Sequence, residues 1–279
     1  MEKWMQDHPV TVAIAGLVIG YVGARIIPET GQAAAILKRV QLSVIMLCAM
    51  AAVGGRGALR WEKGSFISSV FMYKSMLIIM TLIGAHGILS AVGGQRSPGE
   101  GWGPVLLLAA VEYLMVGLFE ESCFRGVMLG GIMARLGRTR RGVYAALVIS
   151  AFLFGFAHVA LDAIGPLSVS TAIQIFTKTL SSGIMGLLIG AVYLKTKNIW
   201  AVAILHGYSD FIVMASERLY GSGGGERIYV DPEMSVAAAL TSAAVLLGLR
   251  LWPLIAGIRL MKKLPVPQEG IWEEARKNA

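Results

Sequence analysis

Long apolar runs, separated by short polar stretches, extend along almost the whole chain. A membrane-spanning helix needs about 20 mostly apolar residues, and eight runs come near or exceed this length. The pattern predicts an all-α membrane protein, a bundle of about eight transmembrane helices. In chain order the runs are Val10 to Ile27, Ile36 to Val53, Phe66 to Val92, Pro104 to Leu136, Val143 to Leu161, Ser168 to Leu194, Ile199 to Met214 and Ser235 to Leu260.

The second and fourth runs depart from the simple pattern. The second carries Lys38 and Arg39 near its start, which is typical of a short or tilted span. The fourth would be about 45 Å or more long as a helix, whereas a hydrocarbon core is about 30 Å thick. It must therefore tilt, protrude or break, and Gly126, Gly130 and Gly131 favour a break or an irregular turn within its last part.

Composition and charge support the membrane class and exclude others. With 56% hydrophobic and 15% charged residues, the chain has too little polar surface for a soluble globule. The formal net charge of +8 does not indicate nucleic-acid binding, because the basic residues lie between apolar runs and not on one face. Cys48 and Cys123 both lie in apolar runs, and we expect them to be reduced core residues without a disulfide framework.

The basic residues predict the orientation in the membrane. If the amino terminus, the loops after the second, fourth and sixth spans and the tail share one side, that side holds fifteen basic residues and the other five. The positive-inside rule then places both termini in the cytoplasm of a multi-pass protein of the cell membrane. The fifteen are Lys3, Arg56, Arg60, Lys63, Arg135, Arg138, Arg140, Arg141, Lys195, Lys197, Arg259, Lys262, Lys263, Arg276 and Lys277, and the five are Lys38, Arg39, Arg96, Arg218 and Arg227.

Three ionisable residues follow each other closely inside the fourth run: Glu120, Glu121 and Arg125. A charge within a bilayer costs roughly 3 kcal/mol or more, so it normally has a partner and marks a functional site. On a helix Glu121 and Arg125 share a face and can pair, whereas Glu120 points about 100° away. Glu120 therefore lacks a local cation, as a general base often does. The alternative is an architectural clamp between two helices.

Two histidines lie inside later spans, each with a partner four residues away on its own helix face. Phe154 precedes His158, and Asp210 follows His206. Either histidine alone is typical of a hydrogen-bonded helix contact, but together with Glu120 they indicate a site. Counted from the cytoplasmic basic clusters, Glu120 and His158 share a depth of roughly 22 to 26 Å. His206 is only about 14 Å along its helix, so we expect it nearer the cytoplasm unless that helix begins outside the bilayer.

Taken in order, these motifs resemble the CAAX protease and bacteriocin-processing family of intramembrane endopeptidases (CPBP, or Abi), in particular its CAAX prenyl protease 2-like members. The resemblance implies an all-helical membrane endopeptidase with its site in a cavity open toward the cytoplasm. It also implies a membrane-associated peptide or protein substrate, with or without a prenyl group, because relatives cut the carboxy-terminal tripeptide from prenylated proteins. The motifs are Glu-Glu-x-x-x-Arg at Glu120, Glu121 and Arg125, Phe-x-x-x-His at Phe154 and His158, and His-x-x-x-Asp at His206 and Asp210.

Peptide hydrolysis needs an activated water, a stabilised oxyanion and a proton for the leaving amine. By resemblance, Glu120 is the base, His158 shares the water and His206 donates toward the oxyanion. Asp210 orients His206, as a carboxylate behind a histidine commonly does. Some relatives carry Asn at this position and can donate an amide hydrogen, which an ionised Asp210 cannot do.

Three further residues are expected to support the site. Glu121 and Arg125 form a structural or substrate-orienting ion pair, and Phe154 lies on the helix face of His158.

A metal is the second mechanistic question. Glu120, His158 and His206 form a candidate His2Glu set for zinc, but the chain has no His-Glu-x-x-His helix. The resemblance implies both a metalloprotease and a metal-free glutamate mechanism, and we favour the metal-free one.

Two functions from other classes stay open. Intramembrane ionisable groups also occur in proton-coupled transporters, although no duplicated halves are evident here. A non-catalytic immunity or scaffold protein could use the same fold. We expect a single integral-membrane domain over residues 1–279, with a catalytic core at about 104–216.

Overall fold

Helices make up 84% of the residues that a computed structural model describes. The structure describes residues 2–28, 30–53, 55–159, 167–221 and 230–268, and this part of the chain contains no strand. The helices are α1 (Glu2–Asp7), α2 (Pro9–Ile26), α3 (Gln32–Ala52), α4 (Lys63–Gly93), α5 (Trp102–Glu121), α6 (Gly130–Leu136), α7 (Arg140–Ala157), α8 (Val169–Thr196), α9 (Ile199–Tyr220) and α10 (Val236–Lys262). A 3-10 turn, Gly55–Leu59, precedes α4, and a π-helical stretch, Ser122–Leu129, joins α5 to α6.

The predicted fold class is confirmed. In the described ranges, eight helical units are long and apolar enough to cross a membrane, with α5, the π stretch and α6 counting as one. The second span is not short, since α3 has 21 residues, about 31 Å of helix. Its buried Lys38 donates to the carbonyl oxygen of Ile27, 3.1 Å away, and so satisfies the end of α2. The fifth span ends at Ala157, and its expected end, Leu161, lies outside the described residues.

The long fourth run does not break at its glycines. It continues from Trp102 to Leu136, and its irregularity is the π stretch that begins directly after Glu121. Such stretches are rare and are often found at functional sites. Gly131 serves close packing instead, because a side chain there would collide with the Pro9 carbonyl group at the start of α2.

Polar side chains begin four of the spanning helices. The oxygen atoms of Thr139, Ser168, Asn198 and Ser235 accept backbone N–H groups in the first turns of α7, α8, α9 and α10. These caps satisfy amide groups that have no partner within the helix, so each helix start is a property of the local sequence.

The helices differ in how deeply they lie in the bundle. α8 is central, with 67% of its apolar window buried inside the protein, whereas the value is 22% for α2 and 17% for α10. α8 packs on α7 and α10, and α9 packs on α4 and α5. The π stretch that follows α5 contacts both α7 and α9.

One end of the bundle is tied together by the segment after α10. Arg140 donates to the Leu264 carbonyl oxygen at 2.6 Å, and the Gln268 amide donates to the Gly137 carbonyl oxygen at 3.0 Å. Lys197 donates to the Gln268 side chain at 3.1 Å. The α6–α7 turn, the α8–α9 turn and the end of α10 therefore share one end, as the distribution of basic residues requires. Arg227, Arg276 and Lys277, which were counted in that distribution, lie outside the described residues.

Candidate active site

Two glycines let α5 and α9 touch along their backbones. A side chain on Gly117 would collide with the Ala203 carbonyl oxygen, and the Cβ of a side chain on Gly207 would lie 2.7 Å from the Tyr113 carbonyl oxygen. This contact lies one helical turn before the end of α5 and directly beside His206. It brings the two glutamates at the end of α5 against the histidine of α9.

The expected ion pair is present and fully buried. Arg125 Nε lies 2.9 Å from Glu121 Oε2, and neither side chain is exposed. The guanidinium also lies over the ring of Phe154, with Cζ 4.5 Å from the ring centroid, which adds a cation–π attraction. The pair joins the π stretch to α7, a separate helix.

Glu121 also makes a contact that the sequence reasoning missed. Its Oε1 lies 2.8 Å from His206 Nδ1. Because the carboxylate pairs with Arg125 and can only accept, we place a hydrogen on Nδ1. Glu121 thus orients His206, the function that the sequence analysis assigned to Asp210. The only sequence signal was the Glu-Glu doublet itself, whose two carboxylates point to different neighbours.

Glu120 lies between two imidazole rings. Its Oε2 is 3.4 Å from His158 Nε2 and 3.8 Å from His206 Nε2. This oxygen is buried and makes no hydrogen bond to the protein. His158 Nδ1 is 2.7 Å from the Phe154 carbonyl oxygen, which only accepts, so this nitrogen donates and Nε2 faces Glu120. The predicted residues of α5, α7 and α9 are thus brought together.

Asp210 lies beside Nε2 of His206, the ring nitrogen that does not face Glu121. Its Oδ2 is 3.3 Å from His206 Nε2. Exposure differs within the group: His206 is 1% exposed, Glu120 20%, His158 25% and Asp210 33%. The imidazole of His206 therefore forms the back of the site, and the three other groups are within reach of a substrate. His206 lies level with Glu120, since its Nε2 is 3.8 Å from Glu120 Oε2, although its distance from Lys197 along the helix suggested a position nearer the cytoplasm.

Phe154 packs the rings of the site in fixed orientations. It is fully buried, and its centroid is 4.5 Å from that of His158 and 5.7 Å from that of His206. Phe124 meets its edge at 5.1 Å. The predicted Phe-x-x-x-His motif therefore supports both imidazoles, one on its own helix and one on α9.

A cavity next to Glu120 and His158 has room for a reactant. Glu120 and His158 line a cavity of about 110 Å³. A water molecule occupies about 30 Å³ in the liquid, so the cavity admits a water together with part of a substrate.

Glu120, His158 and His206 were the candidate ligands for a metal ion. In the ranges that the structure describes, no group of three His, Cys, Asp or Glu side chains is arranged to hold one.

Residues 102–212 match the family model of the Rce1-like type II CAAX prenyl endopeptidases. This match supports the resemblance to the CAAX protease family that the motifs indicate. The predicted site residues all lie within this CAAX-protease segment, which runs from the start of α5 into α9. The match supports an intramembrane protease of the CAAX type. No curated protein matches the chain.

Proposed function

We propose that the protein is an intramembrane endopeptidase that hydrolyses a peptide bond of a membrane-associated peptide or protein. The observation that carries this proposal is the position of Glu120. Its Oε2 lies 3.4 Å from His158 Nε2 and 3.8 Å from His206 Nε2. A carboxylate beside two imidazoles, next to a small cavity that Glu120 and His158 line, supplies the groups that peptide hydrolysis requires.

Glu120 and His158 orient the attacking water. Both present acceptor atoms to the cavity, Oε2 of the carboxylate and Nε2 of the imidazole, because Nδ1 of His158 donates to a backbone carbonyl group. Two acceptors bind the two hydrogens of a water molecule and leave an oxygen lone pair for the substrate carbonyl carbon. As the new C–O bond forms, Glu120 takes the proton and the carbonyl oxygen becomes an oxyanion. The amide C–N bond then breaks, and Glu120 returns the proton to the leaving amine.

His206 stabilises the oxyanion. Its Nδ1 donates to Glu121, so Nε2 donates toward Glu120 and Asp210 when the ring is the doubly protonated imidazolium. Removing such a donor typically slows an enzyme about 10²- to 10³-fold. Asp210 contributes a hydrogen bond of its own only when protonated; when ionised, it accepts from Nε2.

Purified protein in lipid nanodiscs, incubated with membrane-anchored peptides, tests the proposal. We expect cleavage, read by mass spectrometry, that disappears in Glu120→Gln and falls at least a hundredfold in His158→Ala and His206→Ala. Glu100→Gln and His86→Ala are matched controls, since both residues are exposed and distant in the chain from the site. Cleavage that survives Glu120→Gln, or ion flux without any cleavage, contradicts the proposal.

A metal-free mechanism is part of the proposal. It predicts that activity survives exhaustive chelation and that the purified protein holds no stoichiometric zinc. Activity that is lost on chelation and restored by zinc would contradict this part and leave the peptidase proposal intact.

The family description points to prenylated substrates, and this is proposed for the present chain by likeness. Two peptides that differ only in a farnesyl group on one cysteine provide the test. Preferential cleavage of the farnesylated peptide supports a prenyl requirement, and equal cleavage contradicts it.

A further inference from the structure

One wall of the cavity beside Glu120 is formed by α2, which lies outside the CAAX-protease segment. On one side lie the catalytic pair and residues of the π stretch, and on the other lies α2, almost a hundred residues earlier in the chain. The α2 side of the cavity is lined by Leu17, Gly20, Tyr21 and Ala24.

The volume of this cavity limits what it can hold. About 110 Å³ is less than the apolar cavity of about 150 Å³ that binds benzene. Apart from Glu120, His158 and the Tyr21 hydroxyl group, its lining is apolar. It therefore suits a small aliphatic side chain next to the water site better than an aromatic ring.

Leu17 closes one end of the cavity. It lines the cavity and also a second, entirely apolar groove of about 320 Å³ between α2, α6 and α7. Because one leucine side chain borders both spaces, its removal would join them. At Gly20 the wall is close, since a Cβ there would lie 3.0 Å from Cys123 Sγ.

The wall of the cavity opposite α2 contains the catalytic groups and the aromatic residue Phe124 that packs beside them. Glu120 Oε2 and His158 Nε2 lie 3.4 Å apart beside the cavity, and Phe124 packs against Phe154 beneath the imidazoles. Among the described residues, no hydrogen bond or ion pair joins Leu17, Tyr21 or Ala24 to these catalytic groups. A change at Leu17 or Ala24 therefore alters the shape of the cavity and leaves the polar contacts of the catalytic groups in place.

We infer that α2 determines which substrate residue is accepted beside the scissile bond, with Leu17 and Ala24 setting the upper size of its side chain. This inference rests on the proposed peptidase function and deepens it. The occupant is an aliphatic side chain of the substrate, held within reach of the water that Glu120 and His158 orient.

A mixture of synthetic peptides of diverse sequence, anchored in nanodiscs with the full-length protein, tests the inference. Mass spectrometry of the cleavage sites gives relative kcat/KM values for sites that differ in the flanking residue. We expect wild-type protein to favour small aliphatic residues at one flanking position. Leu17→Ala should raise the value for Leu or Phe relative to Ala at least tenfold, since one methylene in an apolar pocket changes discrimination about 10- to 200-fold.

The reverse change should have the reverse effect. Ala24→Leu should lower the value for Val relative to Gly at least tenfold, because the added side chain fills the cavity. Ile19→Ala and Val22→Leu are the matched controls, since both residues are exposed on α2 and line neither space. They should leave every ratio unchanged.

The outcomes separate the two proposals. If wild-type protein cleaves no peptide that Glu120→Gln leaves intact, the peptidase function fails and the inference falls with it. If wild-type protein cleaves without a size preference, or if all sites fall together in Leu17→Ala and Ala24→Leu with unchanged ratios, α2 is only a structural wall and the inference alone is overturned.

Discussion

Glu120 and Glu121 are adjacent in the chain, but their carboxylates have different surroundings. Glu121 is fully buried, and it binds Arg125 at 2.9 Å and His206 at 2.8 Å. Glu120 is one-fifth exposed at the cavity, and its buried oxygen makes no hydrogen bond to the protein. One carboxylate is therefore held in place by its partners, and the other is free to exchange a proton with a substrate water.

These surroundings predict opposite effects of the same substitution. Glu121→Ala leaves Arg125 as an unpaired buried charge, so we expect a loss of about 3 to 5 kcal/mol in the free energy of unfolding. Glu120→Ala should abolish peptide cleavage and change stability far less. Thermal unfolding in detergent, together with the cleavage assay, measures both effects. Equal destabilisation by the two variants would contradict the division of tasks.

Asp210 offers a second test at the level of one side chain. Because its Oδ2 is 3.3 Å from His206 Nε2, an amide in its place can donate to the oxyanion. We expect Asp210→Asn to keep activity within about tenfold and Asp210→Ala to lose about 10²- to 10³-fold in kcat. An Asn variant as inactive as the Ala variant would show that the negative charge itself is needed.

Residue spacing predicted some contacts of the site and not others. The pair of Glu121 and Arg125 follows from a separation of four residues on a helix. The contact between Glu121 and His206 joins two helices, so no spacing within one helix indicates it. The depth of His206 was also misjudged, because counting residues from a basic cluster ignores the different tilts and ends of neighbouring helices.

The contact of α5 with α9 is the element on which the site geometry depends. Gly117 and Gly207 let the two backbones touch, and His206 is next to one of these glycines. A methyl group at either position must push the helices apart.

Gly207→Ala should therefore reduce kcat on the order of 10²-fold, the usual cost of a displacement of about 1 Å in an active site. Gly248→Ala is the control, since a Cβ at this helical position meets no atom within 4 Å. It should leave the cleavage rate unchanged. A Gly207→Ala variant with wild-type activity would show that the close contact is not required.

The last spanning helix carries a half-buried arginine with neutral hydrogen-bond partners. Arg250 Nε donates to Ser181 Oγ at 3.0 Å, and its NH1 group lies 3.0 Å from Met76 Sδ and 3.8 Å from Met80 Sδ. Among the described residues, a serine hydroxyl group and two methionine sulfur atoms contact this guanidinium, and no carboxylate forms an ion pair with it. The guanidinium thus joins α10 to α4 and α8.

A half-buried charge of this kind adds little net stability, because desolvation offsets the attraction. We expect Arg250→Met to leave the unfolding midpoint unchanged or higher and Arg250→Ala to lower it, since alanine leaves a cavity. Thermal unfolding of both variants is the measurement. If Arg250→Met instead unfolds as easily as Arg250→Ala, the guanidinium hydrogen bonds hold α10 in place.

At the scale of the whole molecule, the shared end of the bundle predicts its orientation. The α6–α7 turn, the α8–α9 turn and the end of α10 carry much of the basic charge, so this end should face the cytoplasm. Single cysteines in a Cys48→Ala, Cys123→Ala background test this. A membrane-impermeant maleimide should label Glu100→Cys in intact cells and Lys263→Cys only after permeabilisation. The opposite pattern would invert the orientation.

The spans were predictable because the length of an apolar run is a local property of the sequence. The charged start of α3 was misread, because Lys38 finds its partner at the end of α2. The glycines of the fourth run predicted a break or an irregular turn, and the structure has a continuous helix with a π stretch that begins directly after Glu121. For Lys38 the missing information was a contact with another helix.

The residues proposed to catalyse hydrolysis and those proposed to select the substrate lie in different parts of the chain. The groups that act on the peptide bond lie on α5, α7 and α9, and residues 17 to 24 bound the space beside them. A chimaera that carries the first spanning helix of another such protein should therefore keep the same catalytic residues and cleave a different set of peptides. Divergence among such chains can proceed by replacing a single hydrophobic segment near the amino terminus.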